Sequence, residues 1–231
     1  MLKAEFDKFA EEYHDIHKNN IKLSGETPEF FAEYKISDVF QLFSRAKQAP
    51  KEILDFGAGI GTSVPYFRKF FPDASLTCLD VSEKSLHVGR TRFPDLANFQ
   101  AFDGIRIPSL DDSFDLVFAA CVFHHIPESL HSALLKEWQR VLKPGGKAVI
   151  FEHNPLNPLT RHAVNTCPFD ENAVLIHGPV LRRRMKQAGF QNTGLRYRLF
   201  IPGALSALRP LEQWMCWCPL GAQYFVYSTK N

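Results

Sequence analysis

The sequence predicts an α/β fold in which a largely parallel sheet carries helices on both faces behind an N-terminal helical cap. Three observations predict it. Short apolar runs alternate with helical stretches from residue 51 onward, and the first of these runs stops at a cluster of glycines. The opening 50 residues instead carry apolar residues at helical spacing. The chain has 231 residues, 45% of them hydrophobic, enough to bury a sizeable core.

In the cap (residues 1–50), Phe6, Phe9, Ala10 and Tyr13 recur at helical spacing, as do Phe30, Phe31 and Tyr34 and then Val39, Leu42 and Phe43. Asn19 to Glu29, with Gly25 and Pro28, reads as their connection. Glu52 to Phe56 reads as the first buried strand, followed by a helix through Val64, Phe67, Phe70 and Phe71 that ends at Pro72. Leu76–Asp80 is the second strand, and Ser82 N-caps the helix running to Phe93. Phe99–Phe102 and Phe114–Ala120 are the third and fourth strands. Ser129–Leu142 is an amphipathic helix broken by Pro144, Gly145 and Gly146, and Lys147–Glu152 is the fifth strand. Pro179–Ala188 is a helix closed by Gly189, Leu195–Ile201 the sixth strand and Gln223–Ser228 the seventh. Such alternation implies right-handed crossovers and a parallel sheet.

Composition excludes several classes. With 27 basic and 25 acidic residues the net charge is +2, which lacks the concentrated basic face of a nucleic-acid binder. Arg182-Arg183-Arg184 reads as a solvated helix face. Cys78, Cys121, Cys167, Cys216 and Cys218 are odd in number and lack zinc-motif spacing, so neither a disulfide framework nor a structural zinc site is expected. The charged N-terminus does not resemble a signal peptide, and no apolar run is long enough to span a bilayer. A soluble, cytoplasmic protein is expected, with no membrane and no nucleic acid among its partners.

Ligands of doubly wound sheets bind at the carboxyl ends of the strands. That rule selects Asp55 to Thr62, then Asp80 and Val81, Asp103, Cys121 to Pro127, and Glu152 onward. Within Asp55-Phe56-Gly57-Ala58-Gly59-Ile60-Gly61-Thr62, alternate glycines permit positive φ and close approach of a ligand to the backbone. Dinucleotide sites use G-x-G-x-x-G, whereas Gly57, Gly59 and Gly61 alternate. Asp55 would repel a pyrophosphate but attract an ammonium group.

The D-x-G-x-G-x-G loop, the acid at Asp80, Asp103 after the third strand, Ser113–Val117 leading to His124-His125-Ile126-Pro127, and Leu142–Gly146 together resemble class I S-adenosylmethionine (SAM)-dependent methyltransferases of the small-molecule branch, of the type 11/12 kind. The likeness covers residues 51–153 with a family-like tail to 231. It implies a Rossmann-like seven-stranded sheet of order 3-2-1-4-5-7-6 with strand seven antiparallel, in a methyltransferase domain over 51–231 with insertions at about 154–177 and 202–221. It implies SAM as cofactor, S-adenosylhomocysteine as its product, Asp80 on the ribose and Asp103 facing the adenine amine. Phe56, Ala58, Val81, Phe102, Gly104, Ala120 and Cys121 complete the implied cofactor set. Phe6, Asp7, Ala10 and Tyr13 resemble the leading helix of quinone-biosynthesis methyltransferases, which would set Tyr13 over the cofactor.

Methyl transfer needs positioning, and a base only where the acceptor arrives protonated. His124, His125 and His153 fall on the ligand edge; His125 is expected to turn inward, and His153 is the first choice of base. The absence of clustered Asp/His ligands argues for no metal. The acceptor pocket is expected from three pieces. The cap offers Tyr13, His14, Phe31, Tyr34 and Lys35. The segment 154–177 offers Asn154, Asn157, Arg161, Asn165 and Phe169. The third piece connects strands six and seven, where Leu205, Leu208, Leu211, Trp214, Met215 and Trp217 form a helix-period stripe. Such a stripe reads first as core, with an aromatic lid or a homodimer contact as the alternative. The expectation is transfer to an O or N of a small metabolite by in-line displacement. The alternatives are C-methylation of a quinone-like ring and a noncatalytic SAM-binding protein.

Overall fold

The computed structural model describes residues 25–231. Tyr13 and His14 lie outside the described residues. Helix α1 (Pro28–Arg45) starts where Thr27 accepts a hydrogen bond from the Phe30 N–H, with Pro28 in the first turn, where its missing N–H costs nothing. Its buried stripe of Ala32, Ile36, Val39 and Phe43 lies against the sheet side of the molecule.

The strands are β1 (Glu52–Phe56), β2 (Ser75–Asp80), β3 (Asn98–Ala101), β4 (Phe114–Ala120), β5 (Leu142–His153), β6 (Gln191–Arg198) and β7 (Gln223–Thr229). They form one sheet in the order 3-2-1-4-5-7-6, as expected, with β7 antiparallel to both β5 and β6. Helices α2 (Val64–Phe70), α3 (Glu83–Arg92), α4 (Glu128–Val141), α5 (Pro158–Thr166) and α6 (Gly178–Gln187) occupy the connections.

Period-two alternation along the central strands divides the core between two faces. Leu54, Val117, Ala148 and Ile150 join Trp138 of α4 and Leu181 and Met185 of α6. Ile53, Leu116, Phe118, Val149 and Phe151 face the other way, toward Phe43 of α1, Phe67 of α2 and Leu86 of α3. Each large apolar side chain so buried contributes about 1.5–3 kcal/mol. Trp138 also stands edge-on to Phe56 and Phe123, at ring separations of 5.4 and 5.5 Å.

The larger departures from the sequence reading fall in four segments. Strand β5 begins at Leu142, because Leu142 still pairs with Phe114 while residues 143–146 bulge out before Lys147 pairs with Leu116. Gly145, at φ +79°, makes that bulge without a steric penalty. Strand β6 starts and ends earlier than expected, since Leu199 at φ +64° turns the chain away after Arg198. The segment 154–177 holds α5, N-capped by Asn157 through the Thr160 N–H. Gly203–Trp214 winds as a 3-10 run containing Pro210, and its stripe is not core: Leu205, Leu208, Leu211 and Trp214 are exposed, Trp214 by 67%. Three-residue winding puts them outward and turns Glu212 inward, where its carboxylate accepts from the Phe200 and Ile201 N–H groups. Among the described residues no helix is long and apolar enough to cross a membrane.

Candidate functional site

The carboxyl ends of β1, β2, β4 and β5 meet around a cavity of about 360 Å³, within the usual range for small-molecule sites. After β1 the chain is pinned to β2: the Gly57 and Ala58 N–H groups both donate to the Leu79 carbonyl, at 2.7 and 3.1 Å. The Asp80 carboxylate accepts from the Gly59 N–H at 2.8 Å and the Ser82 N–H at 2.9 Å. Gly57 (φ +74°) is required by packing as well as conformation, since a Cβ there would lie 2.6 Å from Val122 Cγ2. Gly59 (φ +53°) is different: among the described residues a Cβ there would meet nothing within 4 Å and would project into open space.

Asp55 lies beneath this loop and is 2% exposed. Among the described residues its Oδ2 is buried without a hydrogen-bond partner. Burial, and then the neighbouring charge of Asp80, push its carboxyl up to about 8.

Opposite the loop lies a cluster of histidines and carboxylates. Glu152, fully buried at the end of β5, accepts from the Val122 and Phe123 N–H groups at Oε1 and from His124 Nδ1–H at Oε2, 2.5 Å away. Burial would raise the Glu152 carboxyl, but the His124 charge and hydrogen bond outweigh it and hold it low. Burial would likewise lower His124, yet the Glu152 charge and hydrogen bonds to Asp170 and Glu152 lift it to about 10. His124 is therefore an imidazolium near neutral pH and has no lone pair to act as base. His153 is pushed down to about 4, first by burial and then by the His124 charge, so it stands neutral. His125 is also lowered, chiefly by burial. The expected inward turn of His125 is thus reversed, His124 being 2% exposed and His125 only partly buried.

Asp170, on a 3-10 turn at Pro168–Asp170, brings Oδ1 to 3.5 Å from His124 Nε2 and 3.3 Å from His125 Nε2. A clustered Asp/His set, which the sequence reading excluded, is therefore present. The loop that carries Asp170 is tied to the cluster by the Val174 N–H, which donates to the His124 carbonyl at 2.8 Å.

Of the residues the sequence singles out, Asp55, Gly57, Ala58, Gly59, Asp80, Ala120, Cys121, His124, His125 and His153 line this one cavity, as do Phe31, Lys35, Asn157 and Phe169. The others do not. Phe56 packs on Phe102 and Trp138, and Gly61 lies under Phe93 and Phe99. Val81 is buried beside Gly104, and Asp103 is exposed, with Oδ1 accepting from the Ile105 and Arg106 N–H groups. Four of the residues expected to contact the acceptor are engaged elsewhere or point outward. Tyr34 donates to Gln223 Oε1, and the Asn154 amide donates to the Pro219 and Gly221 carbonyls. Arg161 and Trp214 are exposed. Asp170, Cys167, Thr160 and Gln223 line the cavity without having been anticipated. Asp170 carried a weak signal, an acid within the segment that follows the substrate edge.

This sheet order, with its glycine turn and buried acid, is the fold found in solved SAM-dependent methyltransferases. Residues 54–150 match a family model described as a methyltransferase domain. Methyltransferase GfsG of Streptomyces halstedii is 31% identical over 116 residues, covering 48% of this chain and 41% of the relative. A demethylmenaquinone methyltransferase of Thermotoga maritima is 32% identical over 108 residues, covering 47% of this chain and 46% of the relative. The chain thus spans less than half the length of these curated relatives. A crystal structure of a SAM-dependent methyltransferase from Thermotoga maritima superposes over 100% of both chains with a TM-score of 0.69 at 20% identity, a likeness of fold. SAM is the cofactor of the family, and the residues present fit it: an orphaned buried carboxylate oxygen suits its ammonium, and the open space at Gly59 is a cradle that any Cβ would fill.

Proposed function

We propose that this protein transfers a methyl group from SAM to a small-molecule acceptor bound between the glycine loop and the histidine cluster. The observation that carries the proposal is Asp55, whose buried, partnerless oxygen lies under the open turn at Gly59. A cation placed there would relieve the cost of a buried carboxylate, which a phosphate would aggravate. When bound, SAM supplies a methyl already activated on a sulfonium.

In this reading Asp55 orients the donor's ammonium and Asp80 its ribose hydroxyls, while the Gly57–Gly59 backbone admits it closely. The cavity continues past the loop to His125, His153 and Phe169, which leaves room for an acceptor. That space disfavours a noncatalytic SAM-binding protein, whose acceptor site would be filled by its own side chains. Neutral His153 accepts or orients the proton of an O–H or N–H acceptor, and His124, held cationic, fixes the electrostatics around it. Positioning supplies the larger share of the acceleration, up to roughly 7–11 kcal/mol for ideally aligned groups.

The first reading is an oxygen or nitrogen acceptor. C-methylation of a quinone-like ring is the second, favoured by the relatives named demethylmenaquinone methyltransferases. The five free cysteines support a reducing, cytoplasmic setting. Thermal denaturation with SAM and with NADH tests the donor. At about 100 times its dissociation constant SAM should add about 2.7 kcal/mol, a Tm rise of roughly 5–10 °C; stabilisation by NADH alone would sink the proposal. Incubation with methyl-13C SAM and metabolite extracts then separates heteroatom-bound from carbon-bound methyl by chemical shift.

A further inference from the structure

The structure assigns a divalent metal site to His124, His125 and Asp170, facing the acceptor space, with zinc as the ion its chemistry suits. One ring nitrogen of each histidine and an oxygen of Asp170 all lie within 4.8 Å of one another, and both Nε2 atoms approach Asp170 Oδ1. In the metal-free protein the two histidine–aspartate contacts are long hydrogen bonds, 3.5 and 3.3 Å against the roughly 2.7–2.9 Å of a tight charge-assisted pair. They match the edge of a tetrahedron around zinc: ligands about 2.0–2.2 Å from the ion stand about 3.3–3.6 Å apart.

A second, independent observation supports the assignment. Glu152 holds His124 Nδ1–H at 2.5 Å and is itself fixed by two backbone N–H groups. That carboxylate–histidine contact fixes the ring and turns Nε2 toward Asp170, as hydrogen-bonded carboxylates orient imidazole ligands in metal centres. Metal binding there displaces the Nε2 proton that His124 carries in the metal-free protein. Two histidines and one carboxylate leave a fourth position open, as in catalytic rather than structural zinc sites. The open position faces the cavity that also holds Asp55 and Gly59.

The ion's role rests on the methyl-transfer reading, whereas the site itself does not. The ion takes an oxygen of the acceptor as its fourth ligand and lowers the pKa of that O–H, whose proton leaves to water through the cavity mouth. His153 lies alongside, its ring 5.3 Å from that of His124.

The test is Zn2+ uptake by the chelator-stripped full-length protein in competition with a chromogenic chelator, followed by Co2+ replacement read in the visible spectrum. One equivalent per chain is expected, with a tetrahedral Co2+ absorption band. Asp170→Asn and His125→Gln should each weaken uptake about tenfold or more, and His162→Gln, on the exposed surface of α5, should leave it unchanged. SAM binding measured by calorimetry on the same samples certifies folding. Uptake below one equivalent by protein that binds SAM, or uptake indifferent to both ligand variants, overturns the site. Stoichiometric zinc without SAM binding upholds the site and overturns the methyl-transfer reading.

Discussion

Asp55 links burial to ligand binding through its proton. With its carboxyl pushed up to about 8, the residue is neutral at pH 7 in the free protein. The sign follows from linkage: an acid raised on folding contributes stability below its unfolded pKa and loses that contribution as pH rises through about 8. A bound ammonium favours the carboxylate instead. SAM binding at pH 7 should therefore release about one proton, and affinity should climb between about pH 6 and 8. Calorimetry in buffers of different ionisation enthalpy measures this directly. Asp55→Asn should abolish the release and weaken binding roughly 10–100-fold, in line with about 1.5–3 kcal/mol for a charged hydrogen bond. A wild type that binds SAM with no linked proton would remove Asp55 from the donor site. Asp55 was legible in the sequence because two independent patterns select it, the strand end and the glycine spacing. Asp170 was not, since its meaning comes from a long-range contact with His124 and His125 that no local periodicity encodes.

At the scale of elements, the turn between β1 and α2 separates two glycines that look alike in sequence. A side chain at Gly57 collides with buried Val122, whereas one at Gly59 enters the cavity. Gly57→Val should lower the urea midpoint by the equivalent of about 1–3 kcal/mol or more, from overpacking and a strained φ. Gly59→Val should retain a cooperative fold, pay mainly the left-handed backbone strain, and lose at least about tenfold in SAM affinity. Equal losses of stability in the two variants would contradict the geometry. The alternation of β1 to β4 with their helices was legible because each strand is apolar and each break carries glycine, proline or a capping serine. The start of β5 was hidden because Pro144, Gly145 and Gly146 make a bulge inside a paired strand and read locally as a terminus. The stripe at 205–217 misled for a related reason: its spacing suits an α-helix, but Pro210 and 3-10 winding carry it outward.

Over the whole molecule, α1 is fastened to the far half of the sheet. Tyr34 donates to Gln223 on β7, and Asp38 pairs with Arg198 of β6 at 2.6 Å. These contacts span the sequence and close the cavity on one side, where Phe31 and Lys35 line it. Tyr34 was expected to touch the acceptor; its hydroxyl instead holds the structure together. Tyr34→Phe leaves the buried Gln223 oxygen without that donor and should cost about 1–3 kcal/mol, read as a lower urea midpoint at unchanged m-value. An unaltered midpoint would mean the hydroxyl contributes nothing to closure. Long-range ties of this kind are invisible to pattern reading, whereas the sheet order followed from resemblance.

Because β7 inserts between β5 and β6, the chain's last strand by number is a middle strand in space. During synthesis, β1 to β5 can assemble as they emerge, but β6 has no neighbour to join until residues 223–229 follow. Until then the flank of β5 stays unpaired, its backbone open to strands of other chains. A ribosome that stops short of Gln223 thus releases a product that is sticky as well as inactive, and chaperones or proteases can act on that flank. The position of β7 makes synthesis through residue 229 a condition for closing the sheet.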